Sequence, residues 1–255
     1  MVYEMLGLEA PEFGHMTLIV NQSGKKLSKR DTEIVQFIED YNKLGYLPEA
    51  LFNFIALLGW SPEGTEEIFS KEELIKIFDV NRLSTSSAKF DVNKLSWINN
   101  QYIKKMDEQA YLDFVKPFLT KDTSGYTDAQ IDAICLLYKD QMSYATEINE
   151  LANLFFEGPI LDAEALEFVN QEGVKNTLEI FKGIFANLDE LTIDGIKDAI
   201  KETGVQAESK GKLLFMPIRI ATTMQMHGPE LPNTLVILGK EKVIKNIEEV
   251  ISKIN

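Results

Sequence analysis

The chain has 255 residues, 45% of them hydrophobic and 26% charged, which argues against disorder over most of its length and is enough for two or three domains. Forty Asp and Glu stand against 26 Lys and Arg, a net charge of -14, which argues against nucleic-acid binding through a generally basic face and leaves that role to local patches. One cysteine, Cys135, excludes an internal disulfide and suits a reducing compartment; two isolated histidines, His15 and His227, exclude a Cys/His zinc site; and no apolar stretch approaches the roughly 20 residues that span a bilayer.

The first five residues lack the cationic and hydrophobic regions of a signal peptide. Residues 2–8 suit a short helix, and Met16 to Asn21 is the strand expected near this end, with Gly14 before it and Gly24 after. No partner strand lies nearby in sequence, which points to missing upstream structure. From Asp31 on, helical spacing dominates. Ile34, Ile38 and Tyr41 predict a helix over 32–43. Pro48 suits the first turn of the next one, with Leu51, Phe52, Ile55 and Leu58 as its apolar face and Gly59 as its stop. Ser70 with Glu73, and Thr127 with Gln130, form capping boxes. The second box opens a helix carrying Ile131, Ile134, Cys135 and Tyr138. Phe181, Phe185 and Leu188 mark a further helix. Ile193, Ile196 and Ile200 mark another, closed by Gly204. Leu213 to Ile220 looks strand-like, but Pro217 cannot donate to a ladder, so this run is expected to be a helix start or an irregular buried segment. Val243, Ile247, Val250, Ile251 and Ile254 give the last helix. The fold expected is mainly α, with polar joints near 121–126 and 170–173.

The most informative local feature is Gly24-Lys25-Lys26-Leu27-Ser28-Lys29-Arg30-Asp31, with four cations within six residues between a strand and a helix. Mobile ammonium groups there can neutralise charge that builds up on a leaving pyrophosphate, with Leu27 as anchor. A solvated basic turn is the alternative. The spacing of a P-loop is absent.

Lys26-Leu27-Ser28-Lys29-Arg30 resembles the second signature of class I aminoacyl-tRNA synthetases, in the form of the glutamyl-tRNA synthetase family. Gly14-His15-Met16 with Leu18-Ile19-Val20 looks like that family's last catalytic strand. Gly45-Tyr46-Leu47-Pro48-Glu49-Ala50-Leu51, Leu57-Leu58-Gly59-Trp60-Ser61, Phe90-Asp91 and Lys94-Leu95-Ser96-Trp97-Ile98-Asn99 resemble its stem-contact region. Pro217-Ile218-Arg219, Gly228-Pro229 and Leu238-Gly239-Lys240-Glu241 resemble its final anticodon-binding region. Met224 stands where many relatives have glycine. The family's first signature, of His-x-Gly-His type, is nowhere in the chain.

The resemblance implies four segments: the end of a Rossmann-type catalytic domain over 1–31, a helical stem-contact domain over 32–105, and two helical anticodon-binding subdomains over 106–172 and 173–255. Met1 is expected to be an internal residue of a longer protein. The implied activity is glutamate–tRNA ligation with ATP and Mg2+, with Lys29 on the ATP and Lys26 second to it. The chain alone is expected not to activate glutamate and to bind no cofactor. The implied partner is tRNA(Glu), with tRNA(Gln) as a second candidate, for a cytoplasmic monomer without membrane contact. Candidate tRNA contacts are Lys139, Gln141, Lys210, Lys212 and Arg219, through phosphates and unpaired bases. Gln141 stands where some discriminating relatives carry arginine, which hints at relaxed choice between the two tRNAs. An ordinary surface role for Gln141 and a half-buried structural role for Arg219 remain open. Cys135, Trp60 and Trp97 are expected in the core, and Glu147 to Glu150 on a solvated face. A competing function is an acidic helical module that docks a protein and never touches RNA.

Overall fold

A computed structural model describes residues 2–28, 35, 37–158 and 160–254, and the described chain is mostly helical. It forms two compact units, one up to Tyr102 and one from Ile103 on. No helix among the described residues is long and apolar enough to cross a membrane.

The first unit begins with α1 (Val2–Met5), a single turn that buries nothing. The strand predicted over Met16 to Asn21 shortens to β1 (Ile19–Val20). It pairs in parallel with β2 (Ala88–Lys89), with Ala88 N–H on Leu18 O at 3.0 Å and Phe90 N–H on Val20 O at 2.8 Å. The partner absent from the neighbouring sequence is thus delivered by a long crossover, as parallel pairing requires.

Helix α2 (Ile38–Leu44) covers the later part of the helix expected over 32–43. Ile34, on its predicted face, lies outside the described residues, and Ile38 is exposed while Tyr41 is buried. Gly45 ends α2 in the left-handed conformation, at φ 82°. Pro48 opens α3 (Pro48–Leu57) as its position predicts.

The buried face of α3 differs from the expected stripe. Ala50, Leu51, Asn53 and Phe54 are buried, whereas Phe52 and Ile55 face solvent. A buried amide sets this face. Asn53 Nδ2 donates to Glu67 O at 3.0 Å, and Oδ1 accepts from Phe69 N–H at 2.8 Å and from the Tyr102 hydroxyl at 3.1 Å. A fully satisfied amide can stay inside, whereas an unpaired one costs about 1–3 kcal/mol.

Helix α4 (Lys71–Ile77) carries the predicted capping box, with Glu73 N–H on Ser70 Oγ at 3.2 Å and Ser70 N–H on Glu73 Oε2 at 2.7 Å. Helix α5 (Val92–Lys105) buries Leu95, Ile98 and Asn99. Asn99 Oδ1 accepts from Leu47 N–H at 2.9 Å, which satisfies an otherwise orphaned donor at the start of α3. Trp60 is the core anchor expected, and its indole N–H donates to Asp79 O at 3.1 Å. Trp97 is not: it is 45% exposed. At about 100° per residue it points away from the face that Leu95 and Ile98 share.

The second unit contains α6 (Glu108–Val115), α7 (Asp128–Leu137), the short α8 (Ile148–Leu151) and α9 (Asn153–Phe156), and α10 (Ala163–Val169). It continues with α11 (Val174–Ala186), α12 (Ile193–Gln206), α13 (Lys212–Thr223), α14 (Leu231–Leu238) and α15 (Lys240–Lys253). The capping box of Thr127 and Gln130 opens α7 as predicted, and Ile131, Ile134 and Cys135 are buried. The Tyr111 hydroxyl donates to Cys135 O at 2.9 Å and ties α6 to α7.

Two expectations on α12 and α13 change. Leu213 to Ile220 is the middle of α13, and Pro217 lies inside the helix. A proline there removes one intrahelical bond and costs about 3 kcal/mol. The bond lost is to the carbonyl of Leu213, an exposed residue that water can reach. Seven buried residues of α13, packed against α11, α12 and α15, offset that cost. Gly204 does not close α12; it sits inside the helix, against Leu214. A Cβ at Gly204 would lie 2.7 Å from Leu214 Cδ2 and 3.0 Å from Ser209 O.

Gly204→Ala is therefore expected to destabilise by about 1–2 kcal/mol, since overpacking outweighs the gain of about 1 kcal/mol in helix propensity. Gly183→Ala in α11 meets nothing within 4 Å and is expected to stabilise by up to about 1 kcal/mol. Urea midpoints of the two variants, moving in opposite directions, check this pair. Burial, and next Asp132, push the Cys135 thiol up to about 11. At pH 8 the folded chain should react with a maleimide about 100-fold more slowly than the denatured chain, because so little thiolate is present. Equal rates in a stopped labelling assay would contradict this.

Candidate nucleic-acid interface

The cationic loop starts from β1. Asn21 N–H bonds Lys25 O at 2.8 Å, and Asn21 Oδ1 accepts from Lys25 N–H at 3.0 Å and from the Ser23 hydroxyl at 2.8 Å. Gly24, at φ 80°, makes the reversal, and Lys26 returns beside Val20 in an antiparallel bridge. The turn leaves Lys25, Lys26 and Ser28 exposed. Leu27 is half-buried and lines an apolar hollow with Ile19, Val35, Tyr41 and Phe90, the anchoring role its sequence position suggests. Lys29 and Arg30, the other cations of the loop, lie outside the described residues.

In the second unit, a cavity of about 640 Å3 opens beside the end of α7. Tyr138 and Gln141 form one side, and residues 224–229 form the opposite wall. Gln141 is exposed there. That wall is built from α13. Met224 ends the helix in the left-handed conformation, at φ 54° and ψ 20°. A non-glycine residue meets this backbone demand under strain of about 1 kcal/mol. The Thr223 hydroxyl donates to Arg219 O at 2.7 Å, and Gln225 N–H donates to Thr223 Oγ1 at 3.3 Å.

Arg219 acts behind the wall. Its Nη2 donates to Pro229 O at 2.9 Å, and Nη1 would lie 3.3 Å from a Cβ placed on Gly228. Burial lowers its pKa from the ordinary arginine value, yet a guanidinium stays charged. The half-buried structural role is the one this geometry supports: Arg219 is half-buried and holds the Gly228–Pro229 segment that lines the cavity, which Arg219 itself does not line.

The remaining predicted cations lie elsewhere. Lys139 donates to Met106 O and stands 5.8 Å from the centre of the Tyr111 ring. Its charge is thus held within the unit. Lys210 and Lys212 are exposed at the opposite end of α13, and Lys212 stands 5.4 Å from the centre of the Phe168 ring.

Sequence reasoning missed the carboxylates of the cavity, Glu147, Glu150, Asp162 and Glu164. Glu147 is not the freely solvated residue expected. Its Oε2 accepts from Ser143 N–H at 2.5 Å and from Tyr144 N–H at 3.4 Å. Asp162 caps α10, with Ala165 N–H at 2.7 Å. The Asp162 cap was open to sequence reasoning, whereas its approach to Gln141 depends on tertiary packing. The cavity thus offers carboxylate acceptors, two amides with both donor and acceptor (Gln141 and Gln225), and apolar surface from Met224 and Pro229. Such a mixture suits the edge of an unpaired base, whose amino groups need acceptors.

Residues 1–97 match the family of class I tRNA synthetases (E and Q), catalytic domain, and residues 110–251 match the anticodon binding domain family. The chain is 51% identical to a glutamate–tRNA ligase of Bacillus licheniformis and 49% identical to one of Bacillus subtilis, each over 98% of its own length. It spans about half the length of these relatives, 53% in both cases. Among solved structures, a glutamate tRNA ligase from Elizabethkingia meningosepticum in complex with its amino acid superposes with a TM-score of 0.81 at 30% identity. The match covers all of this chain and 54% of that one. A glutamate–tRNA synthetase from Elizabethkingia anophelis gives a TM-score of 0.80 at 31% identity, over 98% of this chain and 53% of that one. The cavity of Gln141 and Pro229 lies wholly inside the second matched segment, and the chain belongs to the anticodon-binding domain family, joined at its amino end to part of a class I synthetase catalytic domain.

Proposed function

We propose that this chain is the tRNA-binding part of a glutamate–tRNA ligase and that its second unit reads unpaired anticodon bases of tRNA(Glu). The observation that carries this reading is the meeting of Gln141 with the Arg219-held segment 224–229 on one open cavity. Gln141 faces the base edge, Arg219 fixes the wall, and Lys210 and Lys212 attract phosphates. Lys139, tied to Met106 O, contributes its field and the position of Gln141 two residues on. The assignment of a stem-contact segment to 32–105 and of anticodon subdomains to 106–172 and 173–255 belongs to the same proposal.

Gln141 also bears on the choice of tRNA. The anticodons for glutamate and glutamine differ at one base, cytosine in one and guanine in the other. An arginine only donates hydrogen bonds, whereas an amide both donates and accepts. An amide therefore pairs with either base edge, and tRNA(Gln) becomes an acceptable second partner. Loss of one good base contact changes affinity by about 1–3 kcal/mol.

In the longer protein, the loop after β1 would work on ATP. Lys26, exposed beside the strand, and Lys29 neutralise charge on the phosphates as glutamate attacks the α-phosphate. Mg2+ is proposed to ride on the nucleotide, since no group of three or more possible ligands exists among the described residues. We place such a protein in the cytoplasm, acting as a monomer.

Filter binding with tRNA(Glu) across a salt series tests the central claim. Affinity should fall steeply as salt rises, because phosphate contacts release counterions. An absence of binding at low salt would refute it and favour the protein-docking alternative. Gln141→Arg should keep tRNA(Glu) and weaken tRNA(Gln) by about tenfold or more; equal effects on both tRNAs would count against a base-reading role. The 255-residue chain should catalyse no ATP–pyrophosphate exchange, since the His-x-Gly-His signature is missing from it. Measurable exchange would overturn the division of labour proposed here.

A further inference from the structure

A second concave surface lies at the other end of α13. The groove, about 440 Å3 in volume, runs between α12, the loop that follows it and the start of α13. Ile200, Leu214 and Phe215 form an apolar floor, and Lys197, Lys201 and Lys210 stand around it. Lys197 and Lys201 are one turn apart on α12 and share a side of the helix. Lys197 approaches Asp194 only at 3.8 Å, with both side chains largely exposed. Such a contact contributes little. Lys201 and Lys210 form no ion pair with any described residue. Glu208 is the carboxylate on the rim.

Two features make this a place for a ligand rather than a solvated edge. Phe215 is 55% exposed although α13 buries seven other residues, so an aromatic face is left uncovered at the floor. Three cations converge there on a chain whose net charge is -14. A polyanion repelled by the body at large is attracted here.

We propose that this groove is a second RNA contact, in which the base of one nucleotide lies against Phe215 and its flanking phosphates meet Lys197, Lys201 and Lys210. The inference rests on the reading of the second unit as an anticodon-binding module. Twelve residues of α13 span about 18 Å, which puts the groove and the Gln141 cavity at the two ends of one rigid helix. One RNA loop with its stem can reach both. An acidic peptide would match the lysines as well. RNA is favoured because the same helix already ends in a cavity suited to a base, and because stacking on Phe215 needs no particular sequence.

The test uses the 255-residue chain, tRNA(Glu) and filter binding across a salt series, with circular dichroism of each variant as the check on folding. The triple variant Lys197→Ala, Lys201→Ala, Lys210→Ala should lower the slope of log affinity against log salt by about 2. Phe215→Ser should weaken binding about tenfold or more and leave the slope as it was. Lys201→Glu, a single change at an exposed site, should weaken binding in the same direction. If the unaltered chain binds tRNA and Gln141→Arg shifts its preference, but the lysine and Phe215 variants bind with unchanged affinity and slope, this inference is overturned and the groove belongs to a protein partner. If the unaltered chain binds no tRNA at any salt, the anticodon reading itself fails, and the inference with it.

Discussion

Helix α13 can be buried along most of its length because α12 offers it a glycine. Gly204 lets Leu214 press onto the backbone of α12, where any larger residue would hold the two helices apart. That approach brings Leu214, Ile218 and Ala221 into one core with α11 and α15. The core in turn offsets the hydrogen bond that Pro217 removes from the middle of α13. Everything at the cavity depends on this placement. Arg219 holds Pro229 O only because its helix is fixed, and Met224 keeps a left-handed backbone only because the turns on both sides over-determine it.

The electrostatic plan is uneven by design of the residues rather than of the totals. The chain is strongly acidic, yet Lys197, Lys201 and Lys210 line one groove between α12 and the start of α13. Some other cations are engaged: Lys116 pairs with Asp132 at 2.6 Å, and Lys139 serves a carbonyl. An averaged charge therefore misjudges what this surface can bind. The acidic side chains of the cavity belong to the same picture. Under the proposed function their role is to offer acceptors to the amino groups of a base rather than to meet phosphates.

Much of this was legible in the sequence where a local rule decides the outcome. Ser70 with Glu73, Thr127 with Gln130 and Pro48 at a helix start each act within four residues, and each appears as predicted. The family resemblance extended that reach, and both matched segments bear it out. What failed was the part that tertiary contacts decide. Phe52 and Ile55 look like core and face solvent, because Asn53 finds three partners from other segments and takes the inner side. Trp97 looks like an anchor, but the turn of α5 gives the inside to Leu95, Ile98 and Asn99. Gly204 reads as a stop signal from composition, and only the position of Leu214 shows that it is a contact surface. The carboxylates around Gln141 come from two stretches, 147–150 and 162–164, whose approach to the 224–229 wall no spacing in the chain announces.

The two-residue sheet has a consequence for the order in which the molecule assembles. β1 and β2 meet only after α2, α3 and α4 have been laid down between them. Closing so long a loop gains two residue pairs in parallel register, a small enthalpic return against the chain entropy lost. In the second unit, by contrast, α11, α12 and α13 are sequence neighbours and pack on one another directly. Short-range topology folds fast and long-range topology folds slowly. The helical second unit is thus the early product of folding, and the β1–β2 ladder is the last joint to close and the first to fray. Amide exchange at Ala88 and Phe90 reports that joint, because their N–H groups hold the ladder to Leu18 and Val20.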